Sequence, residues 1–259
     1  MLLFSVSYRS RPEFWSSLCN QNIINVKKIL LFLLFTKSLI SGWSQSTNYQ
    51  DLFGDDWKKA MTFEKENRGW IEPILAKNNI SYPLAISIVF PELVRYSALR
   101  DKMEISLLKT LYVNLGEEYA DFSIGQIQMK PSFAEMIHEK ASDVSGHGCG
   151  ITFKNISDFE DIKDFRKSIV NDLEDPKSQI NYLIAFIKIC EREFKTGHKD
   201  EMSCVKFLAT AYNFGIDKTA AEIEEMTDKK FFSTRLVSSE NYSYAAVSLF
   251  WYKQFMSEK

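Results

Sequence analysis

Glycine and proline are scarce in this 259-residue sequence, which has ten of the former and six of the latter. This scarcity excludes a collagen-like chain and argues against long flexible linkers. The sequence also lacks internal repeats and low-complexity tracts. Apolar residues, in contrast, are plentiful: 45% of the residues are hydrophobic and 14% are aromatic. A chain of this length and composition can bury one sizeable core, so we expect one globular domain.

Lysine and arginine residues are not concentrated in any one segment of the sequence. The 32 lysines and arginines are balanced by 34 aspartates and glutamates, so we do not expect nucleic acid as a partner. Histidine occurs three times, and the spacings typical of zinc sites, CxxC and HExxH, are absent. We therefore predict neither a metal site nor another cofactor. His147 and Cys149 in the segment SGHGCG have the chemistry of ligands, but a glycine-rich loop with an incidental histidine is the better interpretation.

The hydrophobic run near the N-terminus is short. It extends from Ile29 to Phe35, follows two lysines and precedes small polar residues. This order predicts a secretory signal peptide, since a bilayer span needs about 20 apolar residues. We predict an N-terminal extension and signal peptide over residues 1–44, with export to the periplasm or the cell envelope. A buried helix and a marginal membrane anchor are the alternatives.

Cysteine is rare in the part of the chain that such a cut would leave. Cys190 and Cys204 flank a polar segment that is typical of a turn between two helices. An oxidising compartment permits a disulfide between them. Two free thiols are an equally good expectation, because sequence alone does not fix the distance between the sulfur atoms.

Strand patterns are few after residue 45, and helical periodicity is common. We predict a mainly α fold, with one globular domain over residues 45–259. The stretch from Leu84 to Ser97 is too continuously apolar for its period to separate helix from strand. Its length favours a buried helix, which Pro91 would bend or divide into two pieces.

Glu92 is a single carboxylate within that apolar stretch. A carboxylate in such surroundings usually has a partner or a chemical role. Apolar surroundings raise the pKa of a glutamate, because burial disfavours its charged form. Glu92 is therefore a candidate general acid near neutral pH. The alternative is a structural ion pair with Arg95 or Arg100, of which Arg95 is within helical reach.

Three separated segments carry a resemblance to a known family. Glu92 lies in its apolar helix, GQIQMKPS spans residues 125–132, and ATAYNFG spans residues 209–215. In this order they resemble the lytic transglycosylases and goose-type lysozymes, which cut peptidoglycan. That family has a glutamate at a helix end, then a Gly-Leu-Met-Gln-Ile-Met-Pro-type segment and later an Ala-Tyr-Asn-Ala-Gly-type segment. The resemblance covers most of residues 80–255 and implies a lysozyme-like α fold.

The matching positions in the second and third segments are Gly125, Gln128, Pro131, Ala211, Tyr212, Asn213 and Gly215. The segment that begins at Asp175 is similar to the family's sequence between them. The sequence departs from the family at Leu93, where serine is common, and at Gln126, where leucine is common. The stretch between Glu92 and Gly125 is also longer than usual. These departures affect the expected sugar subsites more than the expected reaction.

The resemblance implies a lytic transglycosylase that cleaves the β-1,4 bond between N-acetylmuramic acid and N-acetylglucosamine, leaving a 1,6-anhydro product. Glu92 would be its single general acid and base, assisted by the sugar's N-acetyl group. The implied substrate-binding residues are Gly125, Gln126, Gln128, Tyr212 and Asn213. The expected partners are peptidoglycan glycan strands, association with the cell envelope is a further expectation, and the expected state is a monomer.

Roles follow for some of these residues. We expect Tyr212 to hydrogen-bond Glu92 and Gly125 to let the backbone approach the cleft. We expect Asn213 and Gln128 to position saccharide amides or to cap loop backbone. For Tyr212 and Asn213 the alternative is packing and capping at a helix end.

Two other functions stay open. A lysozyme that hydrolyses the same bond would need a second carboxylate, for which Asp121, Glu117 and Glu118 are candidates. We interpret these three as solvated charges of a loop. A catalytically silent peptidoglycan-binding protein is the second alternative. The aromatic segment that includes Tyr244, Phe250 and Trp251 has the composition of a sugar-stacking platform, but helical packing is the favoured interpretation.

Overall fold

The computed structural model describes residues 47–98, 102–141, 151–233 and 240–258. The predicted extension and signal peptide, like His147, Cys149 and Arg100, lie outside the described residues. Chain contacts group Tyr49–Lys259 into one compact unit. None of the described helices is both long and apolar enough to cross a membrane.

The described part of the chain is mainly helical, which confirms the predicted mainly α class. The helices are α1 (Tyr49–Phe53), α2 (Asp55–Lys77), α3 (Tyr82–Ala98), α4 (Lys102–Leu115), α5 (Pro131–Ala141), α6 (Ile162–Glu174), α7 (Pro176–Phe194), α8 (Glu201–Phe214), α9 (Ala220–Met226) and α10 (Tyr244–Ser257). Short 3-10 turns lie at Ile156–Asp158 and Thr196–His198. Extended pairing among the described residues is limited to two antiparallel bridges, Ile124–Met129 and Phe232–Tyr242.

Helix α3 forms the centre of the core. It packs against α2, α7, α8 and α10, and nearly all of its side chains from Tyr82 to Val94 are buried. Burial on every side explains why its sequence shows no amphipathic period. Pro91 lies inside this helix without dividing it. Since proline has no amide hydrogen, the carbonyl of Ser87 has no helical donor at that turn.

Aromatic side chains join α3 to the helices on either side. Phe90 of α3 contacts Trp57 of α2, with ring centroids 4.7 Å apart, and stacks on Trp251 of α10 at 5.1 Å. Phe250 packs on Trp57 at 5.5 Å. The aromatic C-terminal segment therefore builds the core, which confirms the packing interpretation.

Aspartates mark the start of three helices. The side chains of Asp161, Asp175 and Asp200 accept hydrogen bonds from the amides of Lys163, Ser178 and Ser203 at the starts of α6, α7 and α8. Such N-caps satisfy amides that have no partner within the helix.

Cys190 on α7 and Cys204 on α8 are free thiols. Burial raises the pKa of both thiols. Of the two alternatives left by the sequence, the structure has the unpaired one.

Candidate active site

Glu92 lies in the second half of α3 with only 3% of its surface exposed. Burial raises the pKa of its carboxyl to about 7. Two cations oppose this shift, Arg95 on the same helix and Lys130 in the turn before α5. Burial outweighs both, because removing a carboxylate from water costs more than these partners return. The carboxyl can therefore hold a proton near neutral pH.

Arg95 forms the ion pair that the sequence left as an alternative. Its Nη1 donates to both carboxylate oxygens of Glu92, at 3.3 and 3.2 Å. Its Nε donates to the main-chain carbonyl of Ser233 at 3.0 Å. The guanidinium also lies over the ring of Phe232, 4.5 Å from its centroid. The carboxyl thus has both an apolar environment and a fixed cationic partner.

Residues Ile124 to Met129 form a tight turn beside this helix. The two end residues exchange main-chain hydrogen bonds, at 2.8 and 3.1 Å. Gln128 has a left-handed backbone conformation with φ of 52°. Its Nε2 donates to the carbonyl of Gly125 at 2.7 Å, so the side chain caps the backbone of the turn, while its Oε1 is buried without a hydrogen-bond partner among the described residues. Such buried acceptors are rare in native proteins.

Gly125 lies where the turn packs against α7. With φ of +71°, it permits close approach of Gln179 on α7 and of the carbonyl of Leu173. A Cβ at this position would lie less than 3.0 Å from both. The glycine is therefore needed for packing of the turn onto α7. Its expected role in letting the backbone approach a cleft stays a prediction.

Gln179 holds this turn through its side-chain amide. Its Oε1 accepts from the amide of Gln126 at 3.1 Å, and its Nε2 donates to the carbonyl of Ile124 at 2.9 Å. The side chain is buried, with 2% exposed. Sequence reasoning assigned it no role, although a glutamine in the otherwise apolar run of α7 was a usable signal.

Tyr212, on the last turn of α8, contacts the same turn. Its hydroxyl donates to the carbonyl of Ile127 at 2.8 Å, so the hydrogen bond that we expected to Glu92 is not the one formed. The ring is partly exposed, whereas the hydroxyl end lies in the interior. Burial raises the pKa of this hydroxyl well above its usual value, and the neighbouring Glu92 carboxylate raises it further. Tyr212 thus joins α8 to the turn next to Glu92.

Tyr244 is a second hydroxyl near Glu92 that sequence reasoning treated only as packing. It is buried at the start of α10 and donates to the carbonyl of Ile88 at 3.0 Å. Burial raises the pKa of Tyr244, and Glu92 and Tyr212 add to the increase. The tyrosine therefore anchors α10 to α3 one turn before the carboxylate.

The remaining predicted residues lie at the edges of this arrangement. The side chain of Gln126 lines an apolar crevice with Leu93 and Val89, on another face of α3. Asn213 follows Tyr212 at the end of α8 and is partly exposed.

Asp121 is engaged in local structure. It accepts from the amide of Ser132 at 3.2 Å at the start of α5 and forms an ion pair with Lys130 at 3.0 Å. Glu117 and Glu118 are exposed, as expected of solvated loop charges. The pKa of Glu117 is raised, chiefly by burial and next by repulsion from Glu135.

An open cavity of about 780 Å³ lies beside α5 and the residues just after α8. Its described lining is largely polar and includes Ser132 and Glu135 of α5, Asn155, and Asp217 just after α8. Glu92 is not among the described residues that line it. Within the described residues, no group of three or more potential metal ligands is present.

Comparisons of this chain with protein-family models, with curated proteins and with solved structures found no match.

Proposed function

We propose that this protein is an exported lytic transglycosylase of lysozyme-like fold that cleaves peptidoglycan glycan strands, with Glu92 as its single general acid and base. The observation that carries the proposal is the buried carboxyl of Glu92, whose pKa is raised to about 7. A general acid is most effective when its pKa lies near the working pH. An ordinary surface glutamate would have lost its proton at neutral pH.

The surroundings of Glu92 support this role. The family resemblance gives substrate contacts to Tyr212, which is close enough to Glu92 for its pKa to be affected, and to the turn of residues 124–129, to which Tyr212 is hydrogen-bonded. Asn213 has a partly exposed side-chain amide. The N-acetyl groups and hydroxyls of a glycan strand supply matching donors and acceptors. The cavity lined by Ser132 and Glu135 is large enough for further sugar units.

The proposed reaction has two proton transfers. Protonated Glu92 donates to the glycosidic oxygen as the bond from that oxygen to C1 of the muramic sugar breaks. The N-acetyl oxygen of the same sugar then bonds to C1. The Glu92 carboxylate next takes the proton of the C6 hydroxyl, whose oxygen attacks C1 and displaces the N-acetyl oxygen. The 1,6-anhydro ring closes, and Glu92 regains its proton.

The charges around Glu92 favour this scheme over a two-carboxylate hydrolase. A second catalytic carboxylate would lie about 5–9.5 Å away and would raise the pKa of Glu92 by repulsion. The charged groups that act on its pKa are instead the cations Arg95 and Lys130. Among the described residues, Asp121 is already bound to Lys130 and to a helix N-terminus.

The test is digestion of purified cell-wall sacculi, with mass analysis of the released fragments. We expect fragments that end in 1,6-anhydromuramic acid. The Glu92→Gln variant keeps the shape of the side chain but has no proton to give, so its rate should fall by about 10²–10⁴-fold.

Glu64→Gln is the matched control. Glu64 is also a buried glutamate, 4% exposed, but it accepts a hydrogen bond from Tyr82 at the far end of α3. This variant should digest sacculi like the parent. Reducing ends instead of anhydro ends would identify a hydrolase, and sacculus binding without release would identify a silent binding protein. Unchanged digestion by Glu92→Gln would disprove the catalytic assignment.

A further inference from the structure

Arg95 is the side chain that contacts Glu92 most directly, and the proposed reaction so far assigns it nothing. The arginine is the more exposed member of the pair, with 26% of its side chain exposed against 4% for Glu92.

The contacts of Arg95 fix the guanidinium from three directions. Nη1 bonds to both oxygens of Glu92, and Nε bonds to the carbonyl of Ser233. The ring of Phe232 lies under its plane at 4.5 Å, a favourable position for a cation. An arginine fork used in this way has few alternative orientations.

Phe232, whose ring packs against the guanidinium of Arg95, is itself fixed by several contacts. Phe232 exchanges two main-chain hydrogen bonds with Tyr242, at 3.0 and 2.8 Å. Its ring is fully buried and packs edge-on against Tyr244 at 5.0 Å. Arg95 therefore connects Glu92 to the start of α10 through a chain of ordered groups.

We propose that Arg95 is a positioning residue for Glu92: it holds the carboxyl in one orientation and stabilises the carboxylate that forms after proton donation. This inference rests on the proposed function, because it concerns the same acid. In the resting protein the pair orients the carboxyl. After donation the negative charge stays beside a fixed cation, which keeps it available to remove the C6 hydroxyl proton.

The pairing of Arg95 with Glu92 also affects the pH at which Glu92 is half protonated. The charged and titratable groups that act with Glu92 are Arg95 on its own helix, Lys130 before α5, Tyr212 on α8 and Tyr244 on α10. Among the described residues, no charged group on α2 or α7 shifts the pKa of Glu92. Arg95 favours the charged form, so its removal should raise the pH at which Glu92 is half protonated.

The experiment compares Arg95→Met and Arg95→Lys with the parent. Side-chain carboxyl signals of protein labelled with ¹³C-glutamate are followed by NMR from pH 4 to 9, with Glu92→Gln to identify the Glu92 signal. We expect the Glu92 midpoint to rise by at least about one pH unit in Arg95→Met. Arg95→Lys keeps the charge and should move the midpoint less. If Arg95→Met does not fold, Arg95→Gln provides the same uncharged comparison.

Arg68→Met is the matched control. Arg68 also pairs with a glutamate of its own helix, Glu72, at 3.0 Å, and also lies over aromatic rings, those of Tyr82 and Phe255. It is near the opposite end of α3, so its loss should leave the Glu92 midpoint unchanged.

The sacculus assay adds a second readout. Arg95→Met should lower the digestion rate by about 10- to 100-fold, as expected for a misplaced catalytic group, and Arg95→Lys should restore part of it. An unchanged midpoint together with an unchanged rate in Arg95→Met would overturn the inference but leave the proposed function intact. A parent protein that releases no fragments would overturn the proposed function, and the NMR titration would still show whether Arg95 holds Glu92.

Discussion

The hydroxyl of Tyr212 donates its hydrogen bond to the carbonyl of Ile127, 85 residues earlier in the chain, and not to Glu92. The last turn of α8 is thereby attached to the main chain of the turn at residues 124–129. This hydrogen bond joins two motif segments that are far apart in the sequence. Any effect of Tyr212 on catalysis should therefore pass through the position of that turn.

Tyr212→Phe should destabilise the fold by about 1–2 kcal/mol, since the carbonyl of Ile127 would lose its partner. The digestion rate should fall several-fold, while the pH dependence of the rate stays that of the parent. Urea denaturation and sacculus digestion from pH 5 to 9 measure both. Tyr244→Phe is the comparison, because it also removes a buried hydroxyl from a main-chain carbonyl. A shifted pH profile in Tyr212→Phe alone would mean that Tyr212 acts on Glu92 directly.

The stability of the protein should depend on the ionisation of Glu92. Its pKa is about 7 in the folded protein and near the ordinary 4.5 in the unfolded chain. Between pH 4.5 and pH 7 the folded state binds more protons than the unfolded state. The free energy of unfolding therefore falls as pH rises through this range. The full effect is about 3 kcal/mol.

Glu92→Gln should remove this dependence. Relative to the parent, the variant should gain about 3 kcal/mol in free energy of unfolding between pH 4.5 and pH 7.5. Denaturation curves at both pH values give the free energy of unfolding of each protein. Other titrating groups are common to the variant and the parent, so their contributions cancel in the difference between the two. A constant difference between the two proteins would show that the carboxyl ionises as a solvated one does.

Gly125→Ala should be strongly destabilising, by about 2–4 kcal/mol. The new methyl group would collide with Gln179 and with the carbonyl of Leu173, at a backbone conformation that alanine adopts with strain. Thermal denaturation measures the loss. Gly69→Ala is the control: Gly69 lies on an exposed face of α2 with open space around it. There alanine should stabilise the helix by about 0.5–1 kcal/mol. Equal effects at both positions would contradict the packing described for Gly125.

Gln179→Leu should cost about 2–4 kcal/mol, because the amide of Gln126 and the carbonyl of Ile124 would both lose buried partners. We also expect slower sacculus digestion, since the turn loses its attachment to α7. Lys177→Ala, an exposed change on the same helix, should stay within about 0.5 kcal/mol of the parent. Parent-like stability of Gln179→Leu would show that the turn is held by other contacts.

The sequence predicted the helical architecture well because most helices have their own local signals. The apolar faces of α6 and α7 and the aspartates before them are examples. The continuous apolar stretch of α3 was correctly assigned as a buried helix by its length. Its uninterrupted passage through Pro91 was not predicted, because packing on all sides stabilises a helix that local propensity would break.

The site was predicted in part. The sequence identified Glu92 from its apolar surroundings, but it left open whether Arg95 pairs with it. Both features occur together in the structure. The expected hydrogen bond from Tyr212 to Glu92 is replaced by one to Ile127, the packing of Gly125 against Gln179 was not predicted, and Gln179 received no role. These contacts join residues more than 50 positions apart, which no local pattern encodes.

The hydrogen bond from Tyr244 to Ile88 joins residues 156 positions apart. During synthesis the N-terminal part of a chain is made first, so α3 exists long before its partner on α10 does. The buried surroundings that raise the pKa of Glu92 are therefore completed only when the final helix is in place. A shortened polypeptide ending before Tyr244 would have Glu92 without this full enclosure.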